Sequence, residues 1–252
     1  MSIAKKLVGA CLLFMLAGCG FGLQWPNLPA PGADPHNLLL VGDALMGSME
    51  PQLAAVLTEA TIFDEHRNGS GLLTQIDGKS PADFVNAMLD DHPETDTVLA
   101  GWVGACTAPC PETYGSQAFF DAWNQARQDI VDAVGARVDP PTVVWVISPP
   151  APPDFAGAPY SFTEGVSNAL SWQTRAWAAT ESVATADWWA PLIATDGFLG
   201  HYDQFLAYQV WPQAFATPHQ VRDGNLFLVT TDGAFRTAIW TATALREVWA
   251  PA

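Results

Sequence analysis

The chain has 252 residues, 49% of them hydrophobic, which is ample for a core, and a formal charge of −16. So acidic a surface excludes nucleic acid and anionic headgroups as natural partners, because phosphate recognition needs clustered Lys and Arg. Past the amino terminus, no apolar run is long enough to span a bilayer.

At the amino terminus Lys5 and Lys6 precede an apolar stretch, Leu7 to Leu16, which is short for a membrane helix and typical of a signal peptide. It ends in Leu16-Ala17-Gly18-Cys19, which resembles a bacterial lipobox. The resemblance implies that residues 1–18 are removed and that Cys19 receives a thioether-linked diacylglycerol. The protein is then extracytoplasmic, held by lipid to a membrane of the cell envelope. Acyl chains contribute about 0.8 kcal/mol per buried CH₂, so two or more hold firmly. Removing Lys5 and Lys6 takes the charge from −16 to −18 and leaves Lys79 as the one lysine. Residues 19–36 are rich in proline, which fixes φ and removes donors, and are expected to form an extended tether rather than to fold.

From Asn37 to the end, short apolar runs alternate with longer amphipathic ones. Leu38 to Val41, Thr61 to Phe63, Thr97 to Val103 and Thr142 to Ile147 are predicted as buried strands. Residues 46–58, 80–90, 116–135 and 163–180 have helical spacing, and a last helix is predicted over 233–249. Strand and helix in alternation give an α/β domain over 37–252, a parallel sheet with helices on both faces. Ligands of such a sheet bind at the carboxyl ends of the strands, here just after Val41, Phe63, Val103 and Ile147.

Between the third and fourth strands lies Cys106-Thr-Ala-Pro-Cys110. These are the thiols that remain once Cys11 leaves with the signal and Cys19 is lipidated. Outside the cytoplasm a disulfide is the natural fate of such a pair, and a turn with Pro109 brings the side chains together. The rival is a metal site, but two thiolates with no nearby His make an incomplete zinc shell.

The strand-end turns resemble the blocks of the SGNH/GDSL hydrolases. Leu38-Leu-Leu-Val-Gly-Asp-Ala-Leu45 is similar to the first block, where Gly-Asp-Ser-Leu supplies a nucleophilic serine. Here Ala44 holds that position, after Asp43. Arg67-Asn-Gly-Ser-Gly-Leu-Leu73 resembles the second block, whose glycine gives an oxyanion N–H, a role that fits Gly69 or Gly71. Gly101-Trp-Val-Gly-Ala-Cys106 resembles the third, with Ala105 in place of the oxyanion asparagine. Two stretches compete for the terminal Asp-x-x-His. Val221-Arg-Asp-Gly-Asn-Leu226 is preferred, with Asp223 in place and Leu226 where histidine belongs; Thr231-Asp-Gly-Ala-Phe235 would put Phe235 there. The resemblance implies a three-layer α/β/α sandwich about a central parallel sheet, flavodoxin-like in type, with no cofactor and no metal.

Family chemistry needs a hydroxyl to attack, an imidazole to take its proton, and donors for the oxyanion. An alanine methyl cannot attack, and losing one oxyanion donor alone costs about 10² to 10³ in rate. The site is read as degenerate. Replacement residues deserve a place beside that reading. Ser48 lies one turn beyond Ala44 and Ser70 lies in the second block, although both suit helix-surface or turn hydroxyls. His201 and His219 precede the last helix, where the family's base originates; the ordinary role of a loop histidine is a solvated one. Asp43 and Asp223 would face each other as a carboxylate pair.

There are eleven tryptophans, among them Trp102 beside the expected site, Trp188, Trp189 and Trp211. Most are expected to pack the core, while Trp102, at a strand end, is placed to stack on a ligand. The sequence therefore describes a lipid-anchored SGNH-like pseudoenzyme that binds an envelope glycolipid, polysaccharide or partner protein. An active esterase or acyl transferase using replacement residues is the second reading, and a structural envelope lipoprotein the third.

Overall fold

The computed structural model describes residues 28–32, 34–102, 112–113, 115–149, 164–189, 206–207, 219–220 and 231–251. Elements follow in the order β1 (His36–Gly42), α1 (Ala44–Val56), β2 (Ala60–Asp64), α2 (Pro81–Asp91), β3 (Thr97–Gly101) and α3 (Gln117–Gly135). Then come β4 (Thr142–Ile147), α4 (Glu164–Glu181), β5 (Ala184–Asp187), the short β6 (Leu206–Ala207) and β7 (His219–Gln220), and α5 (Thr231–Trp249). The first five strands form one parallel sheet in the order β2-β1-β3-β4-β5. β6 and β7 pair with each other in antiparallel fashion.

The alternation of side chains along β1 sorts the core into two layers. Leu38 and Leu40 face one side, where they join Leu45, Met46, Met49 and Leu53 of α1 and Ala234, Ala238, Ala242 and Leu245 of α5. Leu39 and Val41 face the other, against Phe84 and Val85 of α2, Phe119 and Trp123 of α3, and Leu170 of α4. The small alanine side chains of α5 let it lie close to α1, and Trp188 crosses beneath to donate its indole N–H to Thr241 at 2.9 Å. Helix starts are capped as their sequences dictate. Ser80 caps α2 just before Pro81 and exchanges hydrogen bonds with Asp83, and Ser116 caps α3.

This is the α/β/α architecture expected from the sequence, with four strands and five helices close to their predicted bounds. β3 stops at Gly101 rather than Val103, so Trp102 lies beyond the strand. β5 was not foreseen: Ala184-Thr-Ala-Asp187 is four residues with two polar side chains, too little for a periodicity signal. The end of the expected tether is docked rather than free. The buried guanidinium of Arg246 donates to the carbonyls of Pro29, at 2.9 Å, and Val56, and forms a two-point pair with Glu59. Burial alone would raise the Glu59 carboxyl, but hydrogen bonds and charge from Arg246 outweigh it and hold the group below its ordinary value. Nearby His36 stacks on Trp249, centroids 4.1 Å apart, and the Trp249 indole donates to Thr97.

Candidate active site

The carboxyl ends of β1 and β3 close on each other through two glycines. Gly42 has φ +149°, and a Cβ there would lie 1.8 Å from the Gly101 carbonyl oxygen. A Cβ on Gly101 would in turn meet Met46 Sδ at 2.4 Å. This close crossing turns the chain sharply from β1 into α1. Asp43 is the cap of that helix: it is 2% exposed, and its carboxylate accepts from the Leu45 N–H at 3.0 Å. Ala44 is the first helical residue and is half-buried, so its methyl stands at the site.

The second-block turn wraps over this point. The Arg67 N–H donates to the Gly42 carbonyl at 2.8 Å, and the Ser70 hydroxyl donates to the same oxygen at 3.2 Å. Ser70 also accepts from the Trp102 indole N–H at 3.2 Å, so its hydroxyl knits β1 to the end of β3. Gly69 sits at φ +75° with open space around it, a turn residue by conformation, while the Gly71 N–H donates to the Thr74 hydroxyl within the loop. Ser48 donates to the Leu45 carbonyl at 2.7 Å, the back-bonding usual for a helical serine.

Trp102 departs from expectation. It is 1% exposed, lies 6.0 Å from Trp145 between ring centroids, and uses its indole N–H on Ser70. Both faces are enclosed, so it packs the floor of the site instead of offering a stacking surface. Trp188 is likewise fully buried.

A feature missed in the sequence lies against α1 at Gly47, three residues beyond Ala44. Asp64 ends β2, and its Oδ1 accepts from the His66 backbone N–H at 3.2 Å and sits 2.8 Å from His66 Nδ1. A carboxylate there favours the tautomer with the proton on Nδ1, leaving Nε2 as the acceptor. The ring rests on α1. A Cβ on Gly47 would lie 2.3, 2.4 and 2.5 Å from Nε2, Cε1 and Cδ2, and three such similar distances place the ring's face, not its edge, over Gly47. Residues three apart share a helix face, so the imidazole rests on the side of α1 to which Ala44 also belongs. Pro51 has no N–H to give the Gly47 carbonyl, which therefore lacks its usual helical donor. Glu50 completes the cluster. Its carboxyl is raised above the ordinary value, chiefly by burial and then by Asp64, with His66 partly offsetting. The sequence signal was Asp64-x-His66 directly after a strand.

Several expected positions lie outside the described residues: Cys19, Ala105, Cys106, Cys110, His201, Asp223 and Leu226. His219 falls in β7. The competing terminal stretch is the opening of α5, where Phe235 is 43% exposed. Among the described residues, no three His, Cys, Asp or Glu side chains gather as metal ligands.

Neither a known protein family's profile nor a curated protein sequence matches the chain. Solved structures do. A protein of Slackia heliotrinireducens described as an SGNH hydrolase aligns with TM-score 0.57 and 16% identity, over 84% of this chain and 100% of its own. The carbohydrate acetylesterase of Sinorhizobium meliloti aligns at 0.54 and 16%, over 84% and 99%. The aryl esterase of M. smegmatis gives 0.54 and 16% over the same shares. Identity so low speaks for the fold and not for the chemistry. The chain has the α/β/α fold of the SGNH hydrolases.

Proposed function

We propose that this is a lipid-anchored protein of the bacterial cell envelope that uses the SGNH frame to bind an envelope glycan or partner without forming an acyl-enzyme. The observation that carries the reading is Ala44. It occupies the first turn of α1, immediately after the capping Asp43, at the point where the fold presents its nucleophile, and it has no atom that can attack an acyl carbon. The serines nearest to it, Ser48 and Ser70, have hydroxyls committed to the carbonyls of Leu45 and Gly42. The test is a fluorophosphonate probe on the purified protein, which is expected to leave no label. Labelling of any serine would overturn the reading.

The Asp64–His66 pair favours a second reading, a hydrolase working through replacement residues. Nε2 would take a proton from water while the water oxygen bonds to the acyl carbon of an ester. The adduct then collapses to the carboxylic acid as its bond to the alkoxy oxygen breaks, and the imidazolium gives its proton to that oxygen, so that an alcohol leaves and the imidazole is neutral again. A positioned base of this kind contributes about 10² to 10⁴ in rate. Turnover of nitrophenyl acetate that ignores fluorophosphonate but vanishes in His66→Gln would favour this reading over the first.

A further inference from the structure

We infer that the protein stands on its membrane with the amino edge of the sheet downward, so that the candidate site faces away from the anchoring bilayer. Its ligand is then met on the side turned away from that bilayer. This rests on the lipid anchor proposed above.

The argument is geometric. All five strands of the main sheet are parallel, so their amino ends share one edge and their carboxyl ends, with Ala44 and His66, share the other. The chain arrives at the amino edge, because β1 begins at His36. Arg246 pins it there by donating to the Pro29 carbonyl from a position that is itself 6% exposed and locked to Glu59. The seven residues of β1 rise about 3.3 Å each, so about 20 Å of sheet separates the pinned entry from the site. Between Cys19 and Pro29 the chain can extend at most about 35 Å. Inverting the domain would draw most of that length up along its side, whereas the upright arrangement leaves it slack. Chain entropy favours the upright arrangement. At that far edge stand the Asp64–His66 pair, 2.8 Å apart, and the half-buried Glu50.

The mature chain supplies its own probe site. Lys79 is its one lysine and is exposed, in the turn between β2 and α2 at the carboxyl edge, where neighbouring Asp77 is paired with Arg67 at 2.9 Å. The lipidated protein is labelled with an amine-reactive donor dye and bound to phosphatidylcholine–phosphatidylglycerol vesicles carrying a headgroup acceptor. Lys79→Arg gives the background from any free α-amine. Upright standing predicts a donor at least about 20 Å above the headgroups, with transfer well below that of a dye lying on the surface. Vesicle-bound protein with surface-level transfer would overturn the orientation and leave the anchor standing. Protein that pellets with vesicles no better than Cys19→Ser would remove the anchor, and the orientation with it.

Discussion

The imidazole of His66 lies face-on against Gly47, a contact between the end of β2 and the second turn of α1 in which a Cβ at position 47 would meet the ring at 2.3 Å. Glycine inside a helix costs up to about 1 kcal/mol relative to alanine, so its presence needs a tertiary cause, and the ring provides one. The contact predicts a reversal of sign. In the native protein Gly47→Ala should destabilise, because the new methyl meets a ring that Asp64 holds in place. In a His66→Ala background the same change should stabilise by about 0.5 to 1 kcal/mol. Urea unfolding of the four proteins in a double-mutant cycle measures this. Equal effects in both backgrounds would mean that the ring does not bear on the helix.

Two buried arginines are predicted to behave in opposite ways. Arg246 is paired with Glu59, so Glu59→Gln leaves a buried charge with carbonyl partners but no counter-charge and should cost about 3–5 kcal/mol. Arg127 is fully buried with no carboxylate against it among the described residues; it lies 4.0 Å over the Trp177 ring, and its Nε has no hydrogen-bond partner. Burial pulls its pKa down to about 9. Arg127→Met, of similar volume, should therefore change stability by no more than about 1 kcal/mol. If the Arg127 variant proves the worse of the two, the Trp177 face and the Thr174 and Asn124 oxygens compensate that charge better than a carboxylate compensates Arg246.

The Glu59 pair also carries a pH dependence. Its carboxyl is lowered in the folded protein, so it contributes stability that is present above the ordinary carboxylate range and lost as pH falls through the lowered value. Wild-type stability should fall across that acid window more steeply than that of Glu59→Gln, which has no group there to titrate. Parallel acid limbs in thermal melts would contradict the assignment.

Much of this was legible in the sequence because it is local. Leu38 to Val41 form an uninterrupted apolar run and are fully buried in β1, and the Gly42-Asp43-Ala44 turn is the strand-to-helix turn that the resemblance implies. Long-range partnerships were not legible. Arg246 and Pro29 are 217 residues apart, and nothing near either announces the other. Gly47 and Pro51 are poor helix residues by propensity, but the reason for Gly47 lies at the end of β2. His66 escaped notice because the family pattern directs the search for a base to the carboxyl terminus, and an Asp-x-His at another strand end is found only by asking what each strand end delivers.

The cysteines yield a prediction that depends on neither reading of the site. Cys106 and Cys110, which lie outside the described residues, are expected to form a disulfide in an exported protein. Intact mass after alkylation, with and without prior reduction, should show both protected in the native state. Removing so short a loop's bridge should cost at the low end of the usual range of about 2–5 kcal/mol. Free thiols in protein isolated without reductant would exclude the bridge.

Restoring the nucleophile separates the two possible sources of a base. Ala44→Ser puts a hydroxyl on the first turn of α1, three residues before the Gly47 on which His66 rests. If His66 Nε2 reaches it, the variant should react slowly with fluorophosphonate, and the reaction should disappear in Ala44→Ser/His66→Gln. Asp64→Asn should also slow it, because an amide there no longer fixes the productive tautomer or steadies the imidazolium. The family's arrangement makes the opposite forecast. Ala44→Ser alone would stay silent, and labelling would need Leu226→His, with Ala105→Asn to complete the oxyanion hole. Labelling that appears only in that triple variant and ignores His66 would place the base in the carboxyl-terminal stretch. It would leave Asp64–His66 a structural pair that orders the β2 turn. Labelling that follows His66 would show that the fold has kept a base beside a position that lacks its nucleophile.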